Sequence, residues 1–171
     1  DIRSDGVSGG GTSKLTISGN TFTDFSPAAG DHPDAIQLWT KGAKGSAHDI
    51  VISDNLITRG EGGVMQGIFL TDQVGNLPYQ NLTITNNVVA GGMYNGIMVL
   101  NAENAQITGN AVAGFADMKS WIRLDKVNGV VSGNDAEQYL VTQTVGFTEA
   151  MNKVIATLSD GGAKLIAEWL L

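Results

Sequence analysis

The sequence predicts an all-β solenoid, a chain of short parallel strands wound coil upon coil. Three observations carry this. One strand-like pattern recurs five times: LTISGNTF (15–22), IVISDNLI (50–57), LTITNNVV (82–89), AQITGNAV (105–112) and GVVSGNDA (129–136). A second pattern, polar–small–Ile/Val–x–Leu/Val, interleaves with it in strict alternation. The chain also has 23 Gly but only 3 Pro, a balance that suits tight turns between regular strands better than a flexible linker.

In the first pattern the shared asparagines are Asn20, Asn55, Asn87, Asn110 and Asn134, separated by 35, 32, 23 and 24 residues. The second pattern runs through Asp5-Gly6-Val7, Asp34-Ala35-Ile36-Gln37-Leu38, Gln66-Gly67-Ile68-Phe69-Leu70, Asn95-Gly96-Ile97-Met98-Val99 and Ser120-Trp121-Ile122-Arg123-Leu124. Both alternate with period two and are rich in β-branched residues, which is the strand signal. Two patterns in fixed order place like strand on like, so each coil buries one face inward and is covered by the next. Inward stacks are expected for Ile17, Ile52, Ile84, Ile107 and Val131, and for Val7, Ile36, Ile68, Ile97 and Ile122.

Five copies in two interleaved registers resemble the right-handed parallel β-helix family, the scaffold of pectate lyases, polygalacturonases, mannuronan C5-epimerases and many phage tailspikes. The resemblance covers residues 1 to about 136. It implies a β-helix of about five coils, an association with polysaccharide, and an extracellular or periplasmic setting. The scaffold hosts many functions, so the site must be read from its residues.

The shared asparagines have two jobs on this reading. Asn tolerates the left-handed backbone of a sharp corner, and stacked amides hydrogen-bond into a ladder. The shortest coils set the minimum repeat, so the excess at 23–33, 40–48, 58–65 and 72–80 is inserted loop. These insertions flank the Ile-x-Leu strand and wall one face, where a repeat protein usually carries its site.

The tail loses the Asn repeat. Thr148 to Leu158 and Asp160 to Leu171 show helical spacing, with Thr148 and Asp160 as N-caps. The expected division is therefore a β-helix over 1–140 and a helical C-terminal cap over 141–171. The cap covers the open end of the last coil, or Ile166, Trp169, Leu170 and Leu171 form a dimer contact. At the other end the sequence starts at Asp1, directly in the first coil. It either continues a longer protein or pairs there with another chain.

Composition narrows the function. Charged residues are 16% and hydrophobic residues 42%, a globular balance. A net charge of −7 argues against nucleic acid. It leaves an anionic polysaccharide open, given local Lys/Arg or bridging Ca²⁺. With no cysteine, disulfides, thiolate metal sites and thiol nucleophiles are excluded. No apolar run is long enough to span a membrane.

Candidate chemistry gathers at Asp31-His32-Pro33-Asp34. A uronate lyase or epimerase must neutralise a carboxylate, abstract the C5 proton and stabilise the leaving side. In the mannuronan epimerases a Tyr, a His and Asp residues near an Asp-Pro-His motif do this, and the content here is similar in a different order. His32 is then the candidate acid or base, with Asp31 or Asp34 orienting it or binding a cation. Asp34 aligns with Asp5 one coil earlier, and two such carboxylates can share a proton or hold Ca²⁺. The same column continues as Gln66, Asn95 and Ser120, which equally suits a corner role.

With Ile36 and Leu38 inward, Gln37 and Trp39 point outward. The outward rows are Gln37, Phe69, Met98, Arg123 and Trp39, Thr71, Leu100, Asp125. They read as a sugar face, with Gln37, Trp39, Lys41, Phe69 and Arg123 as binding residues, or as an apolar homodimer interface. Lys44 sits beside Lys41, and both also read as solvated loop lysines. No Tyr, His and basic residue fall together within one or two coils, so the sequence alone assigns no reaction.

Overall fold

The chain winds as a solenoid because its apolar residues alternate within each strand while its left-handed turn residues recur between strands. The computed structural model describes residues 2–144 and 147–171, apart from the side chains of 147–149. The first coil comprises β1 (Val7–Gly10), β2 (Leu15–Ser18) and β3 (Thr21–Phe22). The second comprises β4 (Asp34–Trp39), β5 (His48–Ser53) and β6 (Leu56–Thr58). The third comprises β7 (Gln66–Thr71), β8 (Tyr79–Thr85) and β9 (Val88–Ala90). In the next two coils the loop insertions vanish and the first two strands fuse. These coils comprise β10 (Tyr94–Thr108) with β11 (Ala111–Ala113), and β12 (Ser120–Ser132) with β13 (Asp135–Ala136). A sixth coil follows, with β14 (Tyr139–Thr142), β15 (Phe147–Ala150) and β16 (Lys153–Val154).

Every strand pairing between coils is parallel. The register places Val7, Ile36, Ile68, Ile97 and Ile122 in one column. Ile17, Ile52, Ile84, Ile107 and Val131 form another. All of these are buried except Val7, on the first coil, which is half-buried. A third column, Phe22, Ile57, Val89, Val112 and Ala136, closes the core from the remaining sheet.

The asparagine ladder is continuous. Asn20, Asn55, Asn87, Asn110 and Asn134 each donate both the backbone N–H and the side-chain amide to the Oδ1 of the next coil's Asn, at 2.9–3.1 Å. The last acceptor is Asn152, which extends the ladder one coil beyond the five predicted copies. The corner itself differs from expectation. The left-handed residue is the one before each ladder Asn: Gly19, Asp54, Asn86, Gly109, Gly133 and Met151, with φ of 55–67°. The ladder Asn is thereby released to turn its amide inward, where those of Asn55, Asn87, Asn110 and Asn134 are buried.

The tail is also corrected. Residues 148–158, read from sequence as a helix, instead carry β15 (Phe147–Ala150) and β16 (Lys153–Val154) and continue the solenoid. Thr148 therefore lies in a strand, paired with Val130, and caps no helix. The only helix among the described residues is α1 (Ala163–Trp169). Asp160 does serve its start, accepting the N–H groups of Gly162 at 2.9 Å and Lys164 at 3.1 Å. Nor does α1 cover the end of the solenoid. Leu165, Ile166 and Trp169, with Leu158 and Phe115, pack against Leu56, Val88, Ala90 and Ala111 on the flank of the β6–β9–β11 sheet. Val141, Met151 and Val154 on the last coil stay exposed.

Candidate functional site

Strand β4 sets out the site by alternation. Ile36 and Leu38 are buried in the core, so Gln37 and Trp39 take the outer face, and both are half-buried. Register joins Gln37 to Phe69, Met98 and Arg123, and Trp39 to Thr71, Leu100 and Asp125, as the repeat predicts. The pairing partner of Trp39 on the other side is Gly10. A Cβ on Gly10 would lie 2.5 Å from Trp39 Nε1, 3.0 Å from Cε2 and 3.2 Å from Cδ1. Three atoms of the five-membered ring at such similar distances mean that the indole lies across Gly10, with one face seated on the preceding coil.

The expected apolar row is less exposed than its composition suggests. Met98 is 6% exposed and Phe69 is half-buried. Arg123, Lys41 and Lys44 are exposed. Loop 40–47 carries the two lysines beside Trp39. The neighbouring loop 72–78 is held by Asp72, which sequence reasoning missed. Its carboxylate accepts Thr40 Oγ1 at 2.6 Å, Asn101 Nδ2 at 2.7 Å, and the N–H groups of Val74, Gly75 and Leu77 at 2.9–3.0 Å. Burial pushes this carboxyl up, but these donors outweigh it and hold the group down at about 2.

At the start of β4 the polar cluster resolves into separate roles. Asp5 Oδ1 accepts the backbone N–H of Asp34 at 3.0 Å, so Asp5 fixes the first residue of the strand. Asp31 Oδ1 accepts the N–H of His32 at 2.9 Å within the inserted loop. Asp34 is 1% exposed; Oδ2 accepts Gln37 Nε2 at 2.6 Å, while Oδ1 is buried without a partner. Burial pushes its pKa up to about 7, with Asp5 and Asp31 adding to the rise and Gln37 and His32 opposing it.

The side-chain partner of the His32 ring is Gln66 on the next coil, with Nε2 of Gln66 donating to Nδ1 at 3.2 Å. This differs from the sequence expectation that Asp31 or Asp34 orients the imidazole. From Gln66 the chain continues: Asn95 Nδ2 donates to Gln66 Oε1 at 2.5 Å, and Trp121 Nε1 donates to Asn95 Oδ1 at 3.2 Å. Trp121 packs against Tyr94 with ring centroids 5.4 Å apart. Gln66 and Asn95 belong to the repeat column already noted, but nothing in sequence spacing shows that their side chains connect.

The donor set does not fit Ca²⁺, which takes six to eight oxygen ligands. Asp5 spends one oxygen on a backbone amide, and no group of three His, Asp or Glu side chains suited to a metal occurs among the described residues. An open depression of about 530 Å³, lined by Asp24, Phe25, Pro27 and Glu61, lies between loops 23–33 and 59–65 and includes none of the expected site residues. No described helix is long and apolar enough to cross a membrane.

Compared with known families, residues 1–116 match the family model described as a right-handed β-helix region. No curated protein and no solved structure matches the sequence significantly.

Proposed function

The chain belongs to the right-handed β-helix family, and from that premise we propose that the outer face around β4 binds a polysaccharide chain. One observation carries the reading: a single six-residue strand presents an aromatic platform and an outward amide together. Trp39 lies across Gly10 and is partly exposed on the outer face, where an indole suits the apolar side of a sugar ring. Gln37, on the same outer face and held by the buried Asp34 through Nε2 at 2.6 Å, sets its amide beside it. Lys41 and Arg123 are exposed within the same region and suit the carboxylate of a uronate unit. Wild-type protein run through gels containing alginate, pectate or a neutral glucan should be retarded by at least one of them. Unchanged mobility on all three, with dimerisation on concentration, would replace this reading with an assembly role through a second copy.

A second reading, proton transfer on a uronate, rests on one further observation. Asp34 is poised near neutrality beside His32, the kind of environment that serves acid–base chemistry. His32 then takes the C5 proton through Nε2, and the 4-linked oxygen leaves or the proton returns from the opposite face. Unsaturated product or C5 inversion in wild type that survives His32→Ala would exclude this assignment.

A further inference from the structure

We infer that Tyr94 and Trp121, two and three coils from His32, form a second sugar-binding subsite, so that the ligand is an extended oligosaccharide lying along the solenoid axis. The inference rests on the polysaccharide reading and adds to it the length and direction of the bound chain.

Tyr94 is 45% exposed and has a φ of 51°. A bulky aromatic residue is disfavoured in the left-handed region, where Gly or Asn would sit without cost. Its backbone N–H is fixed to the carbonyl of Lys119 at 2.7 Å, so the conformation is held by the next coil. What the conformation achieves is placement: the phenol ring stands against Trp121 at 5.4 Å and an interplanar angle of 33°. The two rings form a shallow, tilted cradle. Trp121 is in turn fixed in rotation, because its Nε1 donates to Asn95. A rigid, partly exposed aromatic pair loses little freedom when a flat apolar ligand face settles on it.

The position matters as much as the rings. Asp34 pairs in register with Gln66, and Asn95 with Trp121, while the Asn95–Gln66 hydrogen bond joins the two halves. The cradle therefore stands in the same column as Asp34, at the other end of an amide-lined stripe. Three coil steps of about 4.8 Å span roughly 14 Å. That is longer than one sugar ring. Exposed Lys119 adjoins the cradle and would tolerate a uronate carboxylate.

Calorimetric titration with a length series of a retarding glycan, from disaccharide to octasaccharide, tests this. The variants are Tyr94→Asn, Trp121→Phe and Trp39→Ala. Asn accommodates the left-handed backbone, so Tyr94→Asn should melt at or above the wild-type temperature. It should weaken hexa- to octasaccharides by roughly tenfold and leave di- and trisaccharides unchanged. Trp121→Phe should act in the same direction on long ligands only, whereas Trp39→Ala should weaken short and long ligands alike. If wild type shows length dependence and Tyr94→Asn keeps it, the subsite is wrong and the parent reading stands. If wild type binds no glycan of any length, both are wrong.

Discussion

His32 Nδ1 and Trp121 Nε1 are the two ends of one chain of side-chain hydrogen bonds, through Gln66 and Asn95, that crosses four successive coils. The chain has a direction. The indole N–H donates to Asn95, Asn95 to Gln66 and Gln66 to the imidazole, so each amide is oriented by the next and His32 must accept at Nδ1. His32→Ala removes the acceptor at the head of the chain, so Gln66 and Asn95 lose the bond that orients their amides. The indole ¹H–¹⁵N resonance of Trp121 should therefore shift in His32→Ala although the two residues lie three coils apart. An indole resonance unchanged in His32→Ala would contradict the coupling.

Asp34 makes stability depend on pH in an uncommon sense for a carboxylate. Its folded pKa is raised from 3.8 to about 7, so the folded state keeps a proton that the unfolded state releases. The contribution is fully present below about pH 4 and is lost as pH rises through about 7, to a limit of about 4 kcal/mol. Asp34→Asn should flatten this slope and be more stable than wild type at pH 8. Urea melts at pH 4, 6 and 8 measure it, and a wild type that gains stability from pH 4 to 8 more than Asp34→Asn does would contradict the assignment.

Asp72 behaves in the opposite sense. Its pKa is lowered to about 2, so its stabilisation is present above the unfolded value near 4 and is lost as pH falls towards 2. Asp72→Ala leaves the donors of Thr40, Asn101, Val74, Gly75 and Leu77 without their acceptor, at a cost of about 3 kcal/mol. Proteolysis should then cut within 72–78 faster than in wild type. Unchanged melting and cleavage would show that the loop is held by something else.

The ladder can be tested at its middle. Asn87→Ala removes the acceptor for two donors of Asn55 and the side-chain donor to Ile52 O and Asn110. Each orphaned buried group costs about 1–3 kcal/mol, so the loss should be on the order of 3 kcal/mol or more. Asn20→Ala, at the exposed first rung, should cost much less. Equal losses at both rungs would mean that burial is not what gives the ladder its value.

Sequence pattern carried the fold because the period-two columns and the Asn repeat are each set by one coil's contact with the next. The tail misled for a physical reason. Met151, Val154, Ile155 and Leu158 have helical spacing, yet Asn152 finds the ladder and Lys153–Val154 pairs with Asp135–Ala136. Tertiary pairing there overrides local pattern. A second ladder, in which Asn104 donates to Asn81 and Asn81 to Asp49, went unread. Its signal was present as the polar residue before each apolar-x-Ile triplet. In the site, the outward placement of Gln37 and Trp39 follows from alternation alone. The link from His32 to Trp121 does not, because it depends on side-chain rotamers across coils whose sequence spacing varies.

The central claim is that Trp39, seated on Gly10, is a sugar platform, and one titration tests it most directly. Wild type, Trp39→Ala and Gly10→Val are titrated calorimetrically with the glycan that retards the wild type. Gly10→Val places atoms where the indole now lies and so displaces the ring without removing it. Both variants should remain folded and bind at least about tenfold more weakly than wild type. Wild-type affinity in a folded Trp39→Ala would contradict the account.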